Sequence, residues 1–339
     1  MRSTQTMRLI TVFTTIAPLV FLSLFFTKTT IAQNRLFASV NEFTGSTNAP
    51  RFVAEIDTTT QTAAVLFNVP VPPNNSFSFD TARDLVVDQF GNVLLYNGTF
   101  TPSLLSGNAA DGIVSQSQSP EFSSISNGTF GGIARAGDFV FLADQSTGGS
   151  PGQGILRIDL TDNSFTRFAS TIEPNDLNVS PDGVVFALNG AGSPRNSVFL
   201  YDLQSLALTS QVPVAFDDHR AVAGLGDGTF FTATSGGDIF HYDSNGTLLN
   251  SLNVNGAFFS DIDIATDGQI ALGTAQDGEV VLTTTSLDSF SRFRITESTF
   301  GGNTFVAFAT DFSVVPEPSS SLFMLAIGTC LITRRRKTI

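Results

Sequence analysis

Short apolar strands, interrupted by polar residues and glycine turns, recur along the middle of the chain. In three segments an aspartate opens an apolar strand, a glycine turn follows, and a second apolar strand leads away: residues 84–91, 176–183 and 261–268. Residues 132–137 and 221–228 are looser copies. The turn glycines stand at positions 91, 137, 183, 228 and 268, at spacings of 46, 46, 45 and 40 residues. Each can supply the positive φ that a tight hairpin turn requires.

A second strand pair follows most of these hairpins. Its first strand ends in an aspartate, at Asp159, Asp202 and Asp243, and aspartate at that position can accept the backbone N–H groups of a turn. Apolar residues at helical spacing are missing from this part of the chain. Four strands in each repeat of 40–46 residues predict an all-β fold, the β-propeller.

The two ends of the repeat region predict how the ring closes. Residues 35–69 hold three strands, and residues 304–309 hold only one. We expect residues 304–309 to pair with residues 36–40 and complete a shared blade, which protects the strand edges. This gives six blades within residues 33–313, with seven as the alternative because residues 100–121 are poorly patterned. The repeats resemble NHL, SMP-30-like and YVTN-type propellers at the level of the fold.

The N-terminal segment predicts export. Arg2 and Arg8 precede an apolar run over residues 9–26, and the stretch closes with Thr30, Ile31 and Ala32. This order is typical of a secretory signal peptide over residues 1–32. The alternative is an uncleaved apolar anchor. Both interpretations place the middle of the chain outside the cytoplasm.

The C-terminal segment, residues 314–339, combines three features. Pro316, Glu317 and Pro318 come first, an apolar run over residues 322–332 follows, and the basic residues come last: Arg334, Arg335, Arg336 and Lys337. This order resembles the PEP-CTERM sorting signal of Gram-negative bacteria. The resemblance implies an exosortase-type processing enzyme as partner and a cell-surface or matrix location, and an unprocessed tail anchor is the alternative.

The length of the apolar run favours a transient anchor. A helix over residues 320–333 would reach roughly 21 Å at about 1.5 Å per residue, which is short of the roughly 30 Å hydrocarbon core of a bilayer. We therefore expect apolar helical sorting segments at both ends, and only a temporary stay in the inner membrane.

Composition excludes several classes of protein. Residues 33–313 hold 29 acidic and ten basic residues, which leaves 19 excess negative charges. Nucleic-acid binding is excluded because it needs clusters of lysine and arginine. The single cysteine, Cys330, lies in the C-terminal apolar run, so the repeat region contains neither a disulfide nor a cysteine–metal site. We expect a monomer held together by its core.

Candidate chemistry lies where the first strand of each repeat begins. Asp84, Asp176 and Asp261 stand seven residues before Gly91, Gly183 and Gly268. Equal register in a propeller places them together at one mouth of the channel, where carboxylate oxygens could bind Ca²⁺; the alternative is that they cap turns between blades. SMP-30-like lactonases bind a divalent metal at such a place, but the glutamate of their ligand set has no match here. Ligand-binding candidates at the same mouth are Asn175, His219 and Arg220.

Two functions fit the sequence. The first is a non-catalytic surface or matrix propeller that binds a glycan, such as an exopolysaccharide, or a protein. The second is a metal-dependent hydrolase or lyase that acts on a lactone or a polysaccharide. The first is favoured because the terminal segments are specific, whereas neither histidine belongs to a His-Glu-x-x-His pattern.

Overall fold

The structure is a computed structural model, and it describes most of the chain between residues 35 and 310. The described ranges are residues 35–42, 50–69, 81–98, 103–117, 131–145, 153–189, 196–216, 218–276, 278–295 and 302–310. Within them the chain forms 24 β-strands.

The strands follow one another in groups of four, apart from the first three and the last. The first seven are β1 (Leu36–Glu42), β2 (Arg51–Asp57), β3 (Thr62–Asn68), β4 (Thr81–Asp88), β5 (Val93–Gly98), β6 (Ser103–Asn108) and β7 (Gly112–Ser117). The next eight are β8 (Ile133–Ala136), β9 (Phe139–Gln145), β10 (Gln153–Asp159), β11 (Phe165–Phe168), β12 (Pro174–Val179), β13 (Val184–Asn189), β14 (Ser197–Asp202) and β15 (Leu208–Pro213). The last nine are β16 (His219–Gly224), β17 (Phe230–Thr234), β18 (Asp238–Tyr242), β19 (Leu248–Asn253), β20 (Phe259–Ile264), β21 (Gln269–Thr274), β22 (Glu279–Thr284), β23 (Ser291–Arg294) and β24 (Gly302–Thr310).

These strands form five sheets, so the prediction of six or seven separate blades is wrong. Four sheets have four antiparallel strands each, and the fifth has eight strands in the order β3-β2-β1-β24-β4-β5-β6-β7. The two halves of the large sheet are joined only by β24 and β4, through the parallel pairs Ala309↔Val87 and Thr310↔Asp88. The join arises because β24 continues to Thr310, beyond the single short strand that the pattern indicated.

The chain ends of the repeat region pair as expected. Strand β24 runs antiparallel to β1 from Leu36↔Phe308 to Glu42↔Gly302, which confirms the predicted pairing of residues 304–309 with residues 36–40. The first strands of the successive groups, which we call the inner strands, contact one another in the closed cyclic order β4, β8, β12, β16, β20, β24. The inner strands therefore surround a common axis.

The predicted helical sorting segments are not part of this architecture. The described residues contain no helix, and hence none that is long and apolar enough to cross a membrane. Their strands follow a period of two with glycine turns, which leaves no apolar stripe at helical spacing. The signal-peptide residues 1–32 and the sorting motif from Pro316 to Arg336 lie outside the described residues.

The turns behave as the sequence predicts. All five repeat glycines have positive φ, for example 83° at Gly183 and 86° at Gly268. The aspartates that end the third strands accept turn N–H groups: Asp202 accepts from Ser205 at 2.7 Å, and Asp243 accepts from Thr247 at 2.8 Å. The hairpin ends are thus fixed by local hydrogen bonds.

The core lies between neighbouring sheets. One cluster joins Phe186 of β13 to Val222 and Phe230 of the next sheet, all fully buried. Each fully buried side chain of this size contributes about 1.5–3 kcal/mol. Gly224 permits the close approach, because a Cβ there would lie 2.3 Å from the ring of Phe186.

Candidate functional site

Three aspartates meet near the axis. Asp84, Asp176 and Asp261 stand on β4, β12 and β20, which are alternate inner strands. Their side chains are buried, and each offers a carboxylate oxygen within 4.8 Å of the other two. Equal register therefore brings together the three residues that the sequence analysis selected, which we call the aspartate cluster.

Each member of the cluster bridges two inner strands. One oxygen accepts the N–H of the following residue: Leu85 at 2.7 Å, Leu177 at 2.8 Å and Ile262 at 2.8 Å. The other oxygen accepts an N–H of the next inner strand: Ile133 at 2.8 Å, Val222 at 2.7 Å and Val306 at 2.6 Å. The carboxylates thus connect β4 to β8, β12 to β16 and β20 to β24, rather than capping turns between blades.

A second tier of polar groups repeats this arrangement two residues further along. Asn178 accepts the N–H of Gly224 at 3.0 Å, and Asp263 accepts that of Phe308 at 2.7 Å. Neither residue was predicted from the sequence. They could have been found from the two-residue period of a β-strand, which puts Asn178 and Asp263 on the same strand face as Asp176 and Asp261.

Burial and mutual repulsion dominate the electrostatics of the cluster. Burial raises the pKa of Asp84 and Asp176 well above the ordinary range, and the carboxylate of Asp261 raises both further. The pKa of Asp261 is raised by burial to about 7, against the opposing effect of the hydrogen bond from Val306. Burial raises the pKa of Asp263 to about 6. Near neutral pH the cluster therefore retains protons.

The cluster could also hold a cation. Three carboxylates are suitable hard ligands, but Ca²⁺ takes about six to eight oxygen ligands. Each of these carboxylates already accepts two backbone N–H groups, so one lone pair per oxygen remains. The arrangement fits a weak site completed by water, in competition with protonation. Among the described residues no other group of three His, Cys, Asp or Glu side chains comes together.

A cavity of about 270 Å³ opens above the cluster; we call it the mouth cavity. Its lining combines polar, charged and aromatic residues with glycines: Arg83, Asp84, Gly131, Gly132, Asn175, Asp176, Arg220, Phe258, Phe259, Ser260, Ala275, Asn303 and Phe305. A smaller cavity of about 80 Å³ on the inner strands is lined by Asp84, Asp261 and Asp263. Because Asp84 lines both cavities, the aspartate cluster lies where they meet.

The mouth cavity has two different walls. The aromatic wall is built at two neighbouring inner strands: Phe258 directly precedes β20, Phe259 begins it, and Phe305 lies on β24. Across the cavity lie Asn175 of β12 and the backbone of Gly132 before β8. A side chain at Gly132 would collide with Asp176, since a Cβ there would lie 2.1 Å from its Oδ1. The glycine therefore keeps this wall open.

Two of the three predicted ligand-binding residues line the cavity. Asn175 and Arg220 do so, and Arg220 pairs with the carboxylate of Asp218 at 2.7 Å. His219 does not line the cavity. It is buried, its Nε2 lies 2.7 Å from the carbonyl oxygen of Ala215, and its ring packs edge-on against Phe240.

The aromatic wall was not predicted, and its residues carry no local motif. Phe258, Phe259 and Phe305 are three of 33 phenylalanines, and only the fold brings residues of β20 and β24 to one surface. Arg83 was missed as well. It directly precedes Asp84, so its place at the mouth followed from the register already used for the aspartates.

The comparisons with known proteins concern the fold. No protein-family model matches the chain, and no curated protein is significantly similar to it. A crystal structure of a protein of unknown function from Bacteroides caccae is similar with a TM-score of 0.56 at 12% identity, covering 81% of this chain and 99% of that one. TolB from Acinetobacter baumannii is similar with a TM-score of 0.57 at 14% identity, covering 82% of this chain and 67% of TolB.

The WD40 β-propeller domain of Doa1 is similar with a TM-score of 0.49 at 13% identity, covering 78% of this chain and 80% of that one. At such identities, similarity shows the fold alone. The closed cycle of inner strands, each followed in its sheet by further antiparallel strands, shows that the chain contains a β-propeller domain, and the likeness to TolB agrees with this fold.

Proposed function

We propose that this protein is an exported, non-catalytic β-propeller that binds a saccharide in the mouth cavity. One observation carries the proposal: an aromatic wall faces a wall with the amide of Asn175 across about 270 Å³, and two arginines, Arg83 and Arg220, line the same cavity. Small-molecule sites are typically concave and largely apolar, with a few placed polar groups. The volume suits one ring-sized unit of a longer chain.

The chemistry of the two walls fits a saccharide. The C–H face of a sugar ring packs on a phenyl ring, and Phe258 is 40% exposed. The hydroxyl groups of a sugar need donors and acceptors: the amides of Asn175 and Asn303 offer both, and the Ser260 hydroxyl, which donates to the Thr304 carbonyl oxygen, offers an acceptor. A peptide would need a longer groove or an exposed strand edge to satisfy its backbone.

The floor of the cavity favours binding over catalysis. The carboxylates of Asp84 and Asp176 each accept two backbone N–H groups, so their orientation is fixed by the frame. Neither histidine of the chain lines the cavity, and His241 is stacked on Phe231 with ring centroids 4.1 Å apart. Burial lowers the pKa of His241, as expected for a packed side chain.

Binding can be tested by calorimetry on the full chain with neutral and acidic oligosaccharides. Phe258→Ala removes the exposed face and should weaken binding at least tenfold, which corresponds to about 1.4 kcal/mol. Phe290→Ala is the matched control, since Phe290 is 45% exposed and lies outside the cavity lining. Equal affinity of the wild type and Phe258→Ala, or binding of peptides alone, would refute a saccharide site here.

Export and sorting are supported by the terminal sequences. The signal-peptide pattern of residues 1–32 and the Pro316-Glu317-Pro318 motif with its basic end at Arg334–Arg336 fit secretion, followed by processing at the membrane. Intact mass of the protein recovered from its host should show loss of residues 1–32 and of the basic end. Recovery of Arg334, Arg335 and Arg336 on the surface protein would contradict processing.

A second candidate function rests on the 4.8 Å grouping of the aspartate cluster. In that case the protein is a metal-dependent hydrolase or lyase, with Ca²⁺ held by the three carboxylates below the mouth cavity. Turnover of lactones or uronic-acid polymers that requires Ca²⁺ and is abolished by EDTA would establish it. Absence of turnover in the presence of Ca²⁺ leaves the binding function.

A further inference from the structure

Two arginines enter the mouth cavity from opposite sides. Arg83 stands on β4 and Arg220 on β16. In the cyclic order of the inner strands, three steps separate β4 from β16 in either direction. Arg83 is mostly buried, whereas the side chain of Arg220 is 47% exposed. A ligand in the cavity thus lies between two arginines, of which Arg220 is the more exposed.

Positive charge at this place contrasts with the rest of the domain. Residues 33–313 contain only ten basic residues against 29 acidic ones, and two of the ten line this one cavity. The acidic side chains of the lining, Asp84 and Asp176, each accept two backbone N–H groups, so the floor repels an anion less than its composition suggests. The mouth is therefore suited to an anion although the chain is acidic.

The present partner of Arg220 indicates which anion fits. Its guanidinium Nη2 lies 2.7 Å from a carboxylate oxygen of Asp218, in a pair whose side chains are 47% and 51% exposed. Such solvated pairs contribute little stability, about 0–1 kcal/mol, so an incoming carboxylate can replace Asp218 at low cost. Arginine binds carboxylates through two parallel N–H···O bonds.

We propose that the saccharide is a uronic-acid type, whose ring packs on Phe258 and whose carboxylate binds Arg220. This inference rests on the proposed saccharide-binding function. Phe258 directly precedes β20, Arg220 stands on the neighbouring inner strand β16, and both line the same cavity, so one sugar unit can contact both. A neutral saccharide would use the aromatic wall and the amides but would leave the guanidinium groups unused.

The test compares trigalacturonic acid with its carboxyl-reduced, neutral counterpart, by calorimetry on the full chain. We expect the wild type to bind the acid at least tenfold more tightly, about 1.4 kcal/mol. Arg220→Gln should remove this preference, so that the variant binds the acid and the neutral sugar with similar affinity. Arg294→Gln is the matched control, because the side chain of Arg294 is also 47% exposed and paired with a carboxylate, Glu279, but lies outside the cavity lining.

The outcomes separate this inference from the function on which it rests. Equal affinity for the acid and the neutral sugar, with both lost in Phe258→Ala, would overturn the uronate inference and keep the saccharide site. An acid preference that Arg220→Gln leaves intact would also overturn it. Failure of the wild type to bind either sugar would refute both proposals.

Discussion

The aspartate cluster should make the stability of this propeller fall as pH rises. Burial raises the pKa of Asp261 from its ordinary value of 3.8 to about 7. Below pH 4 the carboxyl is protonated in both the folded and the unfolded chain, so it has no differential effect. Between pH 4 and 7 the unfolded chain has lost this proton and the folded chain keeps it, so raising the pH favours unfolding.

The size of this fall in stability follows from the pKa shift of Asp261. One pKa unit corresponds to about 1.36 kcal/mol, so Asp261 alone lowers the free energy of unfolding by on the order of 4 kcal/mol between pH 4 and pH 8. Solvated turn aspartates such as Asp243 have the opposite effect on stability, because backbone hydrogen bonds lower their pKa in the folded chain. Their stabilising contribution is lost as pH falls below 4. Stability should therefore be greatest near pH 4–5.

Asp261→Asn isolates the contribution of the charge. The amide keeps one acceptor and loses the other, which leaves the N–H of Val306 or Ile262 without its partner and costs about 1–3 kcal/mol. At pH 5 the variant should be less stable than the wild type by about that amount. At pH 8 it no longer bears the buried charge, so it should equal or exceed the wild type.

Urea unfolding of both proteins at pH 5 and pH 8, in EDTA, measures these free energies. Asp243→Asn is the control, since it removes a solvated turn aspartate and should leave the fall between pH 5 and pH 8 intact. Parallel pH profiles for the wild type and Asp261→Asn would refute the assignment of the buried charge to the cluster.

Three further perturbations have defined outcomes. Ca²⁺ at tenfold its Kd should stabilise the wild type at pH 8 by roughly 1.4 kcal/mol, measured by thermal melts with Ca²⁺ and with EDTA. Asp176→Asn should abolish this stabilisation. No Ca²⁺-dependent stabilisation of the wild type would show that protons alone neutralise the cluster. Phe308→Ala removes a buried side chain of the closing strand β24 and should lower the free energy of unfolding in urea by about 3–5 kcal/mol. The control Phe290→Ala, at an exposed position, should change it by about 0.5 kcal/mol or less. Similar changes for the two variants would contradict closure through β24. Gly224→Ala should lower the melting temperature, because its Cβ would lie 2.3 Å from the ring of Phe186. An unchanged melting temperature would show that the two sheets can move apart there without loss of stability.

Periodicity in the sequence was sufficient to predict the repeated hairpins and the pairing of the closing strand. Glycines 91, 183 and 268 mark one register, and the aspartates seven residues earlier inherit it. Because all inner strands surround one axis, equal register implies convergence, which is why the aspartate cluster could be predicted. The pairing of β24 with β1 followed from an incomplete strand count at both ends.

The features that could not be predicted depend on contacts that leave no repeated pattern in the sequence. The backbone partners of the cluster, Ile133, Val222 and Val306, offer only an N–H group, which every residue except proline has. The join of β24 to β4 rests on two residue pairs, too few to leave a pattern. The aromatic wall combines Phe258 with Phe305 from another strand, and neither phenylalanine differs locally from those of the core.

A crystal structure of the full chain with trigalacturonic acid would show where the ligand lies. We expect a sugar ring against Phe258 in the mouth cavity, with its carboxylate within hydrogen-bonding distance of Arg220 and away from Asp218. Density for the sugar at any other surface, with the mouth cavity filled only by water, would contradict this expectation.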